Sequence, residues 1–247
     1  MTTSSPTRLV VGVTGATGAP LAVRLLEILR EVPRVETHLV LSTWARSTIE
    51  VETPHTSRHC AELADVTHKF GDLGATISSG SFPVAGMVIV PCSMKTLAAV
   101  RHGLADNLIA RAADVTLKER RPLVLVPRET PLSEIHLENM LALSRMGVRI
   151  VPPMPAFYDI PNGISDLVDH IVMRILDQFD LPVGTADIAE RWQGLAHTRS
   201  HGPMSGDGAG RPGPDRTGGV LGTERALGAG GAGAKRRRSE YRGFSSS

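Results

Sequence analysis

Three stretches hold the residue types that could handle a phosphate ester. Val88-Ile89-Val90-Pro91 is an apolar run leading into Cys92-Ser93-Met94-Lys95-Thr96, a small, hydroxyl-bearing turn that opens a helical pattern. Leu117-Lys118-Glu119-Arg120-Arg121-Pro122 and Val126-Pro127-Arg128-Glu129 crowd cations around a second apolar run, Leu123 to Val126. Backbone N–H groups at a helix start grip phosphate, and fixed cations neutralise it. An enzyme that must hold phosphate and let it leave needs both.

Other residues extend this reading, each with an ordinary structural alternative. Gly15-Ala16-Thr17-Gly18 follows the first apolar run and opens a helix. Its glycines admit a ligand close to the backbone and Thr17 adds a hydroxyl, although a plain tight turn would look the same. The turn lacks the full glycine fingerprint of dinucleotide sites, which argues for a mononucleotide or flavin rather than NAD. Ser42 and Ser93 stand at strand ends, as helix caps or as ligand donors. Cys92 invites a nucleophile reading, yet no base partner accompanies it, and a small buried thiol is the simpler account. Arg111 and Lys118 lie seven residues apart in one helical pattern and so share a face. Arg128 directly follows a buried run and precedes Glu129. Arg174 sits in the amphipathic pattern 165–179, with a salt bridge to Asp177 or Asp169 as the alternative to a ligand contact. Tyr158 lies in a loop stiffened by Pro152, Pro153, Pro155 and Pro161, which suits positioning of a phenol, or simple packing. The nine histidines show no metal-ligand spacing; His38 and His170 read as structural, and no metal site is predicted.

The elements that must position these residues alternate. Strands are expected over 8–14, 36–42, 66–70, 86–91, 123–126 and 148–151. Helices are expected over 21–30, 43–52, 57–64, 93–101, 107–118, 133–146 and 165–179. Near-continuous Val/Ile/Leu runs between helices indicate an α/β fold, Rossmann-like or flavodoxin-like, with a mainly parallel sheet covered on both faces. Ligands in such sheets sit beyond the carboxyl ends of the strands, and every motif above is expected at that edge.

The chain has 247 residues, enough for one large domain over 1–195 and a tail over 196–247. Residues 197–247 hold 9 Lys/Arg and 4 Asp/Glu, leaving 18 and 21 in the body, so the net +2 combines a tail at +5 with a body at −3. Too poor in apolar side chains to offset its ordering entropy, the tail reads as disordered. Lys235 to Arg238 has no interleaved aromatic residue, which argues against nucleic acid as a partner. Two cysteines, no leader pattern and no apolar run of spanning length point to a cytoplasmic protein with no membrane segment.

Residues 8–193 resemble the UbiX-type flavin prenyltransferases. The resemblance rests on Thr14-Gly15-Ala16, Ser78-Ser79-Gly80-Ser81, Pro91 to Thr96, Arg111-Ala112-Ala113-Asp114, Leu117 to Pro122, Arg128-Glu129 and Phe157-Tyr158. It implies transfer of the prenyl group of dimethylallyl phosphate to reduced FMN, giving prenylated FMN and phosphate without a metal. It also implies that Gly15, Ala16, Thr17, Ser42, Ser93, Met94, Lys95, Thr96 and Arg128 contact FMN. Tyr158 and Arg174 would bind the dimethylallyl phosphate, with Lys118, Glu129, Glu52 and Arg111 as catalytic groups. Many members carry serine where Thr17 stands, so the hydroxyl persists. A homo-oligomer, dodecameric in the family, and a UbiD-type decarboxylase partner in phenolic-acid breakdown or ubiquinone synthesis are further implications. Two other functions fit such a chain: an FMN-dependent decarboxylase, and a non-catalytic flavin-carrying accessory subunit.

Overall fold

The computed structural model describes residues 6–158, 160–181, 188, 189 and 191. The expected domain boundary at 195 and the tail beyond it lie outside the described residues. Six strands form one sheet: β1 (Thr7–Val13), β2 (Val35–Leu41), β3 (Val66–His68), β4 (Gly86–Cys92), β5 (Leu123–Pro127) and β6 (Arg149–Ile150). Every pairing is parallel, in the order β3-β2-β1-β4-β5-β6. Chain direction across the sheet reverses between β1 and β4, the switch point at which doubly wound sheets bind ligands.

The central strands are apolar on both sides because both sides are covered. Leu9, Val11 and Val13 of β1 face one layer, with α1 (Ala19–Glu31), α2 (Thr43–Glu52), α3 (Ser57–Leu63) and α7 (Ile164–Leu176). Val10, Met87, Ile89 and Leu125 face the other, with α4 (Met94–His102), α5 (Leu108–Lys118) and α6 (Glu134–Arg145). All seven residues of β4 are buried, as its central place requires. Burying each of these side chains stabilises the fold by about 1.5–3 kcal/mol before entropy is set against it.

Local chemistry starts most helices. Ser42, Thr56, Ser93, Asn107 and Ser133 accept the third helical amide of α2, α3, α4, α5 and α6 in turn, each cap contributing about 1 kcal/mol. Gly18 leads α1 at φ 116, a left-handed conformation that a side chain resists.

The departures from expectation fall at the edges. β3 and β6 are shorter than the runs 66–70 and 148–151, as befits edge strands. The loop 71–83 contains one 3-10 turn, Thr76–Ser78. α7 stops at Leu176, and Val172, Met173, Ile175 and Leu176 form its buried stripe; Leu167 and Ile171 are half-buried. Among the described residues no helix is long and apolar enough to cross a membrane.

Candidate active site

Thr14 joins the two strands of the switch point. Its hydroxyl donates to Pro91 O at 2.8 Å and accepts the Ser93 N–H at 2.8 Å, while its own amide donates to Pro91 O at 3.2 Å. Two neighbouring bonds continue the seam: Ser42 N–H to Val13 O at 3.0 Å, and Arg128 N–H to Cys92 O at 3.3 Å. The carboxyl ends of β2, β1, β4 and β5 therefore make one continuous ledge. Nothing in a single threonine codon-position announces this bridge, and the sequence reading missed it.

On this ledge the α4 start is the open anion site. Ser93 Oγ accepts the Thr96 amide at 3.4 Å and donates to Thr96 Oγ1 at 3.1 Å. The Met94 and Lys95 amides precede the first intrahelical bond and project from the positive end of the helix. Lys95 is exposed beside them. Ser42 is a helix cap, its Oγ accepting the Ala45 amide at 3.1 Å. Cys92 is fully buried and burial alone drives its thiol far above the ordinary range, so it cannot serve as a thiolate nucleophile.

The α1 start behaves differently from expectation. Glu52 Oε2 accepts the Gly18 amide at 2.8 Å and the Ala19 amide at 2.9 Å. This carboxylate already satisfies the positive end of α1, so the Gly15-Ala16-Thr17 turn cannot offer those amides to a phosphate. What the turn offers is close approach and the Thr17 hydroxyl. Gly15 itself is pressed against α2: a Cβ there would lie 2.3 Å from the Trp44 Cβ. Trp44 remains 75% exposed above it, an aromatic surface at the ledge that sequence reasoning passed over.

Arg128 and Glu129 extend the ledge past β5, both exposed, with Glu129 Oε1 accepting the Thr130 amide at 3.0 Å. The remaining cations lie elsewhere, contrary to the expectation that all motifs share the carboxyl edge. Lys118 ends α5 just before β5 begins, pairs with Glu119 and abuts Gly80. Arg111 donates to Ser78 O at 3.1 Å and pairs with Asp114 at 2.8 Å. Arg121 donates to Phe82 O and Gly80 O at 2.9 and 2.8 Å. The Lys118 and Arg121 contacts fasten the Ser78 to Ser81 loop at the amino edge, about 20 Å of β4 away from Ser93, while Arg111, one turn into α5, holds Ser78 nearer the carboxyl edge.

Arg174 is on the opposite sheet face from α5 and pairs with Asp177 at 2.7 Å, the alternative weighed from the sequence. The end of its helix reaches the amino edge too, since Phe179 packs against Gly86 at the start of β4. Tyr158 Oη and His170 Nε2 are 2.7 Å apart, with edge-to-face rings. His170 lies one helical turn before Arg174 and so shares its face; it belongs with the tyrosine rather than with the core. Within one chain, then, Lys118, Arg128 and Arg174 do not converge. The spacing of residues along helices reports their height and face on the helix, not which side of the sheet that helix covers.

A family profile described as Flavoprotein matches residues 1–178. A probable UbiX-like flavin prenyltransferase of Streptomyces sp. (strain D7) is 67% identical over 202 residues, covering 82% of this chain and 100% of the relative. The chain belongs to the UbiX-like flavin prenyltransferase family.

Two solved structures place the UbiX-like fold beside this one. The dodecameric FMN-dependent UbiX-like decarboxylase from Escherichia coli O157:H7 is 64% identical, with a TM-score of 0.73 over 76% of this chain and 100% of that one. AnUbiX (PadA1), in complex with FMN and dimethylallyl pyrophosphate, is 55% identical, with a TM-score of 0.73 over 76% and 98% of the two chains. In this UbiX-like chain the ledge from Ser42 to Glu129 has the chemistry a flavin phosphate calls for: neutral amides, hydroxyls and an exposed guanidinium, at the switch point. Beside Tyr158, a surface hollow of about 430 Å³ is lined mainly by Phe157, Ile160, Ile164 and Leu167. Apart from Asn162, whose amide is bonded to Asp166, its side-chain lining is apolar and suits an apolar group.

Proposed function

We infer that this chain is a flavin prenyltransferase that joins dimethylallyl phosphate to reduced FMN, releasing phosphate and prenylated FMN. The observation that carries the reading is the ledge at the switch point, in a chain matched over the full length of relatives named for this activity. FMN is a substrate here: its N5 forms a bond to the allylic carbon as the carbon–oxygen bond to phosphate breaks, and C6 then adds to the prenyl alkene, which takes up one proton while C6 gives up its own to close the new ring. Gly15, Ala16 and Thr17 border the flavin, and Ser42, Ser93, Met94, Lys95, Thr96 and Arg128 hold it. The α4 start is the better seat for its phosphate, because Glu52 occupies the start of α1.

Tyr158 and Arg174 take the dimethylallyl phosphate, and Lys118, Arg111, Glu129 and Glu52 act on it as phosphate leaves. Preorganised cations favour that departure, each contact supplying about 3 kcal/mol of barrier lowering. Because these cations are dispersed over both faces and both edges of one chain, the complete site draws on more than one copy. The active form is therefore a homo-oligomer, in line with the dodecamer formed by the Escherichia coli relative. Its product serves a UbiD-type decarboxylase of phenolic acids or of ubiquinone synthesis, in the cytoplasm.

The test is direct. Purified protein is mixed with FMN, a reductant and dimethylallyl phosphate, and the flavin is weighed by mass spectrometry. A gain of one five-carbon prenyl unit is expected; protein that binds FMN yet leaves it unaltered would refute the reading. The Escherichia coli relative is described as a decarboxylase, so phenolic acids are tested alongside. Release of CO2 by this chain alone would favour that second function. A flavin carrier without activity would support its partner even with Lys118→Ala.

A further inference from the structure

We propose that Glu27, His55 and His59 form a binding site for a zinc-type divalent metal, which clips α1 to α3 and the segment before it. This goes beyond prenyl transfer and does not rest on it. One ligand atom from each residue lies within 4.8 Å of the other two, and all three residues are half-buried. Around zinc, nitrogen and oxygen ligands at about 2.0–2.1 Å stand about 3.4 Å apart in a tetrahedron, so the three side chains must rotate to close on the metal.

The backbone is already set for this. The His55 amide donates to Thr53 Oγ1 at 3.1 Å, and Thr53 Oγ1 donates to Ile49 O at 2.7 Å, anchoring the segment to the end of α2. The His59 amide donates to Thr56 Oγ1 at 3.3 Å, the cap of α3. The two imidazoles are stacked, centroids 4.4 Å apart and planes within 14°, so one ring must swing out of the stack before both in-plane nitrogen lone pairs meet on one metal. Glu27 brings the carboxylate from α1. Its competing partner is weakly held: Arg24 reaches Glu27 at 3.2 Å but Asp169 at 2.6 Å, so the guanidinium can stay on Asp169 while the carboxylate turns to a metal.

The donor set selects the metal. Two imidazole nitrogens and one carboxylate oxygen suit zinc and its first-row neighbours, whereas calcium and magnesium prefer all-oxygen shells. Cys60 adjoins His59 but is fully buried in the core and does not share the cluster. Water would complete the shell. Glu27 stands about 12 Å along α1 from the ledge, so the metal braces helices and takes no part in prenyl transfer.

Tag-free, chelator-stripped full-length protein is titrated with zinc chloride and, separately, cobalt chloride. Calorimetry is expected to show one saturable site per chain, with zinc raising the thermal midpoint and cobalt giving visible tetrahedral bands. Glu27→Gln and His59→Ala each weaken binding about tenfold or more, while His136→Ala and Cys60→Ser leave it unchanged. Should His59→Ala fold poorly, Glu27→Gln reports on the same site without removing an imidazole. Absence of saturable binding, or binding indifferent to Glu27→Gln in folded protein, overturns the proposal.

Discussion

Glu52 and Gly18 are joined by a 2.8 Å hydrogen bond, and the same carboxylate oxygen takes the Ala19 amide at 2.9 Å. The last residue of α2 thus caps the first turn of α1. Glu52→Ala strands two amides and is expected to destabilise the protein by about 1–2 kcal/mol, lowering Tm by roughly 2–8 °C. Glu52→Gln keeps an acceptor oxygen but no charge, so it should retain most of the stability while losing prenyl transfer. Calorimetry paired with the flavin mass assay checks both; a Gln variant with full activity would reduce Glu52 to a cap.

Gly15 has no room for a side chain. Its Cβ would meet the Trp44 Cβ at 2.3 Å and the Trp44 backbone at 3.3 Å, neither of which is the mobile end of a side chain. Gly15→Ala should displace the turn and weaken FMN binding by about tenfold or more, with little change in thermal stability because Gly15 itself is exposed. Flavin titration followed by absorbance reads the affinity. Unchanged binding would mean that the turn does not border the flavin.

If one copy contributes Lys118 and another Arg174, two dead enzymes should revive each other. Lys118→Ala and Arg174→Ala are expected to lose about a hundredfold in rate when pure. Co-refolded or co-expressed in equal amounts, they should recover a substantial fraction of wild-type turnover, since some sites then receive both intact residues. No recovery from mixed oligomers verified by mass would place both residues in the same copy's site.

His68 supplies a pH dependence. Burial, then the nearby His38, holds its imidazole below the usual histidine range, while its ring accepts or donates to His38 at 2.9 Å. The unfolded chain therefore takes up this proton first as pH falls below about 6.5, and the fold loses stability from there down to the depressed native value. Glu36, held low by His38 and Arg8, adds a second loss at more acidic pH, as its carboxylate protonates. Urea melts from pH 8 to 5 should show His68→Gln with a shallower decline than wild type; equal slopes would clear His68 of the effect.

Much of the fold was legible because its central strands are buried on both faces. Val88-Ile89-Val90 and Leu123 to Val126 cannot be mistaken for half-exposed strands, and Ser42, Ser93 and Asn107 mark helix starts. Short β3 and β6 were overextended because edge pairing, not composition, ends them. The ledge was partly visible as small-residue turns after apolar runs. Its Thr14 bridge was not, because a threonine ending a strand has no distinguishing neighbour. Lys118 and Arg174 were expected at one edge of the sheet, and one-dimensional spacing is blind to the sheet lying between α5 and α7. The Glu27, His55 and His59 cluster escaped for a related reason: two of its members are close in sequence, and the third arrives on a different helix.

The Thr14 hydroxyl leaves an unusual demand on any substitute. Valine would fill the same volume yet orphan the Ser93 N–H and leave Pro91 O with the backbone amide of residue 14 alone, whereas serine, though smaller, would keep both hydroxyl contacts. Shape alone is not what this position selects for. It tolerates a void more readily than the wrong polarity, so drift here should be confined to side chains that can give and receive a proton in the same place.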